Sequence, residues 1–364
     1  MSDAQQTQES SKAGLKPATG RHAFDLGRLH GYLASRMPGW QGPISECAQF
    51  SGGQSNPTFL LKAGGRQYVL RRRPAGQLLA QAHAIDREFR VTSALLHTDV
   101  PVARPLLYCD DVEVIGSAFY MVDYVEGRVF WDPSLPGMQP HERAAIYDEE
   151  NRVIAALHSL EPAAIGLADY GRSGNYFERQ LARWVKQYHA SRTASVQAMD
   201  DLIAWLPAHM PADEESRIVH GDYRIDNLIF HPTEPRVLAV LDWELSTLGS
   251  ALADFSYHCL AWHLKPSVSR GMAGCDLAAL GIPDEQSYVA AYARRTGRGA
   301  IDPAIWRFCI AFNLFKVAAI LQGIMKRALE GSASNASADN VERDAQRLRA
   351  IAERGWQVAN GEAG

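Results

Sequence analysis

Apolar residues recur at Leu26, Leu29, Leu33 and Met37, and this spacing predicts an amphipathic helix ended by Gly39-Trp40-Gln41-Gly42-Pro43. The period then shortens. A strand-like run containing Phe50 leads through Ser51-Gly52-Gly53-Gln54-Ser55-Asn56 into Thr58-Phe59-Leu60-Leu61. Ala63-Gly64-Gly65 reads as a turn and residues 67–72 as a second short strand. Residues 82–97 read as a helix, and 119–125 as a strand running into Glu126-Gly127.

Helical periods dominate from residue 128 onward, at 148–160 and 176–189. Two short apolar strands interrupt them, 227–230 and 237–241, joined by His231-Pro232-Thr233-Glu234-Pro235. Asp302-Pro303 supplies an N-cap and a proline for the first helical position, and Gly331 a stop. The stretch 305–329 is long and apolar but carries Arg307, Lys316, Lys326 and Arg327, so it reads as a buried core helix. Residues 332–338 form a polar linker before a last helix with Val341, Ala345, Leu348 and Ile351 on one face. The pattern predicts an α+β chain: a strand-rich N-lobe over 21–122, a hinge at 123–127 and a mainly helical C-lobe over 128–364. A ligand is expected in a cleft between such lobes.

Composition narrows the function. A formal charge of −4 and a pI near 6.3 point to neither a nucleic acid nor a membrane surface as partner. The cysteines Cys47, Cys109, Cys259, Cys275 and Cys309 are scattered, which suggests reduced thiols in a cytoplasmic protein and no structural zinc. Residues 1–20 are polar and lack an apolar core segment, so they read as a disordered tail and not as a signal peptide.

The chemistry concentrates in His220-Gly221-Asp222-Tyr223-Arg224-Ile225-Asp226-Asn227 and, beyond it, Val240-Leu241-Asp242-Trp243-Glu244. Transfer of a γ-phosphoryl group needs metal ions to neutralise its oxygens. Magnesium prefers oxygen ligands and keeps several waters, so one or two protein oxygens suffice. Asp242 can supply a carboxylate and Asn227 an amide oxygen, leaving Asp222 to orient the attacking hydroxyl and accept its proton. Taken singly, each of these residues is equally at home in a turn or a cap.

His-Gly-Asp-x-x-x-x-Asn followed by an aspartate ending the next hairpin resembles the aminoglycoside phosphotransferase and choline kinase-like family, over roughly residues 24–354. The resemblance implies a bilobal protein-kinase-like fold with a small antiparallel N-lobe. It also implies ATP and Mg2+ as cofactors, Asp222 as catalytic base, Asn227 and Asp242 as metal ligands, and Asp254 as a buttress of the catalytic loop. The family's Gly-Asp-Pro before that buttress reads Gly249-Ser250-Ala251 here. His220 matches a structural loop histidine; His158 reads as a satisfied core histidine.

Strand alternation puts Val69 and Arg71 on one face, Val69 toward adenine and Arg71 toward phosphates. Glu88 falls on the inward stripe of its helix with Ile85, Thr92 and Leu95, and a buried carboxylate needs a partner such as Arg71. The pair mirrors the lysine–glutamate pair of kinases, with Arg72 and Arg73 as competitors for Arg71. Gly52, Gly53, Ser55 and Asn56 occupy the place of a phosphate-covering loop. The run from Met121 resembles the family's adenine-binding hinge, through the carbonyl of Asp123 and the N–H of Val125. Arg224 either approaches the γ-phosphate or an anionic substrate, or pairs with a loop carboxylate.

For the substrate, four runs resemble the branch of kinase-like domains associated with acyl-CoA dehydrogenases. They are the runs from Tyr68 to Pro74, from Ala82 to Glu88, from His220 to Asn227, and Ala319-Ile320-Leu321-Gln322-Gly323. That implies a small hydroxylated acyl acceptor, a hydroxyacyl-CoA or hydroxy acid, and a functional link to an acyl-CoA dehydrogenase. Arg224, Lys316, Lys326 and Arg327 are the candidate contacts for CoA. The alternatives are an aminoglycoside or amino-alcohol acceptor, and a nucleotide-binding pseudokinase scaffold.

Overall fold

The computed structural model describes residues 14–18, 23–51, 56–74, 85–212, 216–330 and 338–362. The chain divides into two compact units. One comprises residues 1–131 and 226–246, the other residues 132–225 and 247–364. Residues 226–246 thus group with the first unit, whereas the sequence pattern ran them on with the helical half.

The first unit is built on a six-stranded antiparallel sheet. Its strands are β1 (Leu15–Pro17), β2 (Ile44–Phe50), β3 (Thr58–Ala63), β4 (Arg66–Arg72), β5 (Pro105–Cys109) and β6 (Phe119–Asp123), in the order β1-β2-β3-β4-β6-β5. Alternation gives the sheet two apolar faces. Tyr68, Leu70, Phe59, Leu61, Phe119 and Met121 pack with Leu29 and Leu33 of helix α1 (Leu26–Arg36). Val69, Tyr120 and Val122 face Ile85 of helix α2 (Ile85–Leu95). Leu15–Pro17 corrects the expected 1–20 tail: its three residues pair with Phe50, Gln49 and Ala48.

The hairpin Leu228–Phe230 and Val237–Val240 joins this unit through main-chain bonds. Arg128 and Phe230 exchange N–H···O bonds of 2.8 Å, and the Val240 N–H donates to the Pro101 carbonyl at 2.9 Å. A side chain at Gly127 would overlap the Phe230 carbonyl, so only glycine lets the backbones approach here.

The second unit is mainly helical: α3 (Pro140–Ser159), α4 (Tyr176–Ser191), α5 (Gln197–Ala208), α6 (Ala251–His258), α7 (Glu285–Arg295), α8 (Pro303–Leu329) and α9 (Ala338–Ala359). Asp302 caps α8 by accepting from the Ala304 N–H at 2.7 Å, and Pro303 opens it. By length and composition α8 could cross a membrane, yet 78% of its most apolar window is buried within the fold, as expected of a core helix. Helix α9 packs along it with Leu348 and Ile351 buried. A short antiparallel ladder, Arg217–Val219 with Thr247–Gly249, leads on one side into His220 and on the other into α6. The 332–338 linker and the Gly331 stop lie outside the described residues apart from Ala338, which opens α9.

Candidate active site

In the first unit, β4 and α2 bring Arg71 and Glu88 together. Arg71 Nε lies 3.0 Å from Glu88 Oε2, a close ion pair without the alignment of a hydrogen bond. Its Nη2 donates to Asp242 Oδ1 at 2.7 Å and lies 3.6 Å from Glu244 Oε2. Glu88 is 1% exposed. Its Oε1 accepts from Asn56 Nδ2 and its Oε2 from the Tyr120 hydroxyl, both at 2.9 Å.

Three carboxylates therefore surround one guanidinium. Burial pushes Glu88 up to about 7; Arg71 and the Tyr120 bond pull it down, while Asp242 and Glu244 add to the rise. Burial also works against charge on Arg71, but Tyr120, Glu88 and Asp242 outweigh it and hold the guanidinium protonated. Arginine does not give up its proton in proteins, so the surplus negative charge is relieved at Glu88.

Asp242 follows the second hairpin strand in a left-handed conformation, φ 65° and ψ 57°, before the turn Trp243–Leu245. Such a conformation in a non-glycine residue costs on the order of 1–3 kcal/mol and is held by its surroundings. The Trp243 indole donates to the Val240 carbonyl at 3.0 Å, and the Leu241 N–H donates to the Asn227 carbonyl at 2.8 Å. The latter bond sets Asn227 across the hairpin from the residue preceding Asp242. One carboxylate, one amide and a local excess of negative charge suit a hard divalent cation that keeps waters and phosphate in its shell. These residues thus fit magnesium.

The neighbours of Arg71 are now distinguished. Arg72 turns to the other sheet face, 3% exposed and stacked over Phe24 and Phe59, and Arg73 stands 4.0 Å from Asp86 at the surface. Val69 lies on the Arg71 face, half-buried against the α2 cluster. Two expectations need correction. Asn56 is 1% exposed with its amide bound to Glu88, so it serves that carboxylate and not a phosphate-covering loop. The Met121 side chain lies in the α1 core on the face opposite Val69, and its backbone stands between β4 and β5. The Asp123 N–H donates to the Arg104 carbonyl at 3.0 Å, and its carboxylate meets Arg104 at 2.7 Å. Val125 follows β6 in irregular backbone, half-buried. Gly52, Gly53 and Ser55 lie outside the described residues.

In the second unit the catalytic-loop sequence is fixed from beneath. Asp254 on α6 accepts the His220 N–H at 2.7 Å and the Gly221 N–H at 2.8 Å. His158 Nε2 lies 3.2 Å from the same carboxylate, and its Nδ1 lies 2.7 Å from the Tyr292 hydroxyl. Burial favours protonation of Asp254, but His158 together with His220 outweighs it and holds the carboxyl below its ordinary range. The Asp222 N–H donates to His220 Nδ1 at 3.2 Å. Asp222 Oδ1 accepts from the Tyr257 hydroxyl at 2.8 Å, and Arg224 Nε lies 3.4 Å from the same oxygen. The structure thus shows Arg224 paired with a loop carboxylate, namely Asp222.

The departure at Gly249-Ser250-Ala251 has a local account. Ser250 Oγ accepts from the Ala253 N–H at 3.3 Å and caps α6. Sequence reasoning passed over Glu244 and Tyr257, although each carried a signal. Glu244 stands two residues after Asp242, and Tyr257 three after Asp254, on the same side of a helix.

Comparisons with known proteins agree with this geometry. The profile of the phosphotransferase enzyme family matches residues 46–308. Acyl-CoA dehydrogenase family member 10 of Mus musculus is 46% identical over 323 residues, 88% of this chain and 30% of its own length. Family member 11 of Homo sapiens is 41% identical over 358 residues, 97% of this chain and 45% of its own. The chain thus spans less than half of these curated relatives. A crystal structure from Ralstonia eutropha JMP134, provisionally described as an aminoglycoside phosphotransferase, is 54% identical. It covers 93% of this chain and 99% of its own, with a TM-score of 0.85. The aminoglycoside phosphotransferase APH(4)-Ia with ADP and hygromycin B, at 15% identity and a TM-score of 0.57, shares the fold. An aspartate loop clamped by a buried carboxylate, an arginine ringed by acids and a profile match over most of the chain lead to one assignment: this chain belongs to the phosphotransferase enzyme family.

Proposed function

We propose that the protein transfers the γ-phosphate of ATP, with magnesium, to a hydroxyl of a small acyl compound, a hydroxyacyl-CoA or the free hydroxy acid. The observation that carries the reading is the setting of Asp222. Its backbone is anchored through His220 and Asp254, and its Oδ1 is fixed by Tyr257. A carboxylate so oriented suits a group that aligns an acceptor hydroxyl and takes its proton as the phosphoryl group arrives.

Asn227 and Asp242 would hold the magnesium ion, which when bound neutralises charge on the phosphate oxygens. Arg71 keeps Asp242 in place and remains cationic for the nucleotide's phosphates. Glu88 in turn fixes Arg71, with Asn56 and Tyr120 fixing Glu88.

The acyl acceptor is supported by the relatives named for acyl-CoA dehydrogenases. Phosphorylating a hydroxyl converts it into a better leaving group, so the product suits a later elimination on an acyl chain. We place the protein in a functional link with such a dehydrogenase. Magnesium-dependent ADP release over a panel of hydroxyacyl-CoAs, hydroxy acids and aminoglycosides tests the reading. Asp222→Asn should lower turnover by roughly 10²-fold or more. Equal rates in variant and wild type would remove Asp222 from the role, and turnover with aminoglycosides alone would reject the acyl acceptor.

A further inference from the structure

Lys316 projects from α8 with its ammonium Nζ 4.6 Å from the centroid of the Tyr257 ring. The hydroxyl of that same ring donates to Asp222 Oδ1. The juxtaposition is fixed by a buried bond one helical turn earlier. Asn313 Nδ2 donates to the Ala253 carbonyl and to Ser256 Oγ, both at 2.8 Å, locking α8 to α6 just before Tyr257. Among the described residues Lys316 forms no ion pair. Lys326, ten residues further along α8, differs: it donates to the Ala190 carbonyl at 2.9 Å and lies 3.6 Å from Glu330.

An ammonium carries three N–H donors and no acceptor. A half-buried one facing an aromatic ring has its charge partly compensated but its donors unused by that ring. Desolvation lowers the proton affinity of Lys316, with Arg183 acting in the same direction and Asp254 and Asp222 opposing. Such a group gains most from a ligand oxygen that takes its N–H bonds.

Resting on the phosphotransferase reading, the geometry points to Lys316 as the specificity-determining residue that binds the acyl oxygen of the acceptor, beside the hydroxyl served by Asp222. The oxygen belongs either to the carboxylate of a free hydroxy acid or to the carbonyl of a thioester. An acceptor without a carbonyl-type oxygen near its hydroxyl leaves the ammonium without that partner.

The test compares kcat/KM for three acceptors: a hydroxyacyl-CoA, the matching free hydroxy acid and a secondary alcohol of the same chain length without the acyl group. A hydrogen bond to a charged donor contributes about 1.5–3 kcal/mol, so the better acyl acceptor should exceed the alcohol by roughly 10- to 100-fold. Lys316→Met should bring that ratio close to unity, mainly through KM, and Lys316→Arg should restore part of it. Lys62→Met, at the surface ion pair with Glu46, should leave the ratio unchanged. Which acyl acceptor loses more in Lys316→Met tells carboxylate from thioester carbonyl. An equal fall for acyl and plain-alcohol acceptors, or an unchanged ratio, would overturn the assignment while leaving the phosphotransferase reading intact. Failure of the wild-type protein to bind MgATP would sink both.

Discussion

Glu88 and Arg71 set the electrostatics of the candidate site in the first unit, because one guanidinium meets three acids in a partly dry setting. Burial favours the protonated form of Glu88 and lifts it from 4.5 to about 7. The native state therefore binds a proton that the unfolded chain has released over that range. The stabilisation is complete below pH 4.5 and is lost as pH rises through about 7. A shift of this size amounts to about 3 kcal/mol. Glu88→Gln, neutral at every pH, should lack this dependence. Urea titrations from pH 5 to 8 should show the wild type losing stability relative to the variant; a constant difference would refute the elevated pKa. Much of this pairing was legible in the sequence. Strand alternation selected Arg71 and helical periodicity placed Glu88 inward, because both periods are local. The partner of Asn56 escaped because it is set by how a loop folds back on α2, which spacing does not encode; Glu244 was passed over despite standing two residues after Asp242. Met121 was misplaced because the hinge resemblance named a run of residues, whereas alternation within that run already divided its side chains between two faces.

At the scale of elements, the candidate catalytic loop depends on how α6 starts. Asp254 can receive the His220 and Gly221 N–H groups only if the first turn of α6 is intact, and Ser250 supplies its cap. Ser250→Ala should cost about 1 kcal/mol, and Ser250→Asp, which also caps, should cost less. Thermal denaturation of the two variants checks this; equal losses would mean the hydroxyl does not act as a cap. Gly249→Ala should be worse than either, since its new methyl carbon would stand 2.5 Å from the Tyr176 ring. The long helices and the 228–240 hairpin were readable from period and turn residues. The short ladders were not: Leu15–Pro17 and Arg217–Val219 are three residues each, too short to show alternation, and both exist through partners distant in sequence. β5 was hidden in the same way, opening on a proline and pairing with β6 across a register shift. Helix α5 carries Pro207 in its last turn, which obscured its period.

At the scale of the whole chain, the first unit takes the hairpin that carries the proposed metal ligands from the middle of the sequence. Residues 226–246 leave the second unit and return to it, and they carry both Asn227 and Asp242. Residues 1–131 alone would lack the carboxylate that Arg71 Nη2 holds at 2.7 Å and the strand that pairs with Arg128. The proposed nucleotide set therefore draws on both segments of the first unit, and ligand linkage offers a readout independent of the acceptor. A ligand at 100 times its dissociation constant stabilises the native state by about 2.7 kcal/mol. If Asn227 and Asp242 hold the ion, ATP with magnesium should raise the melting temperature more than ATP with chelator. Asp242→Asn should remove that magnesium-dependent increment and retain the part due to nucleotide alone. The substitution also relieves one of the acids around Arg71, so the apo variant should be at least as stable as apo wild type near neutral pH. An increment of equal size in both proteins would place the metal elsewhere. A variant that melts lower without ligand would show that the Asp242–Arg71 bond outweighs the repulsion among the three carboxylates.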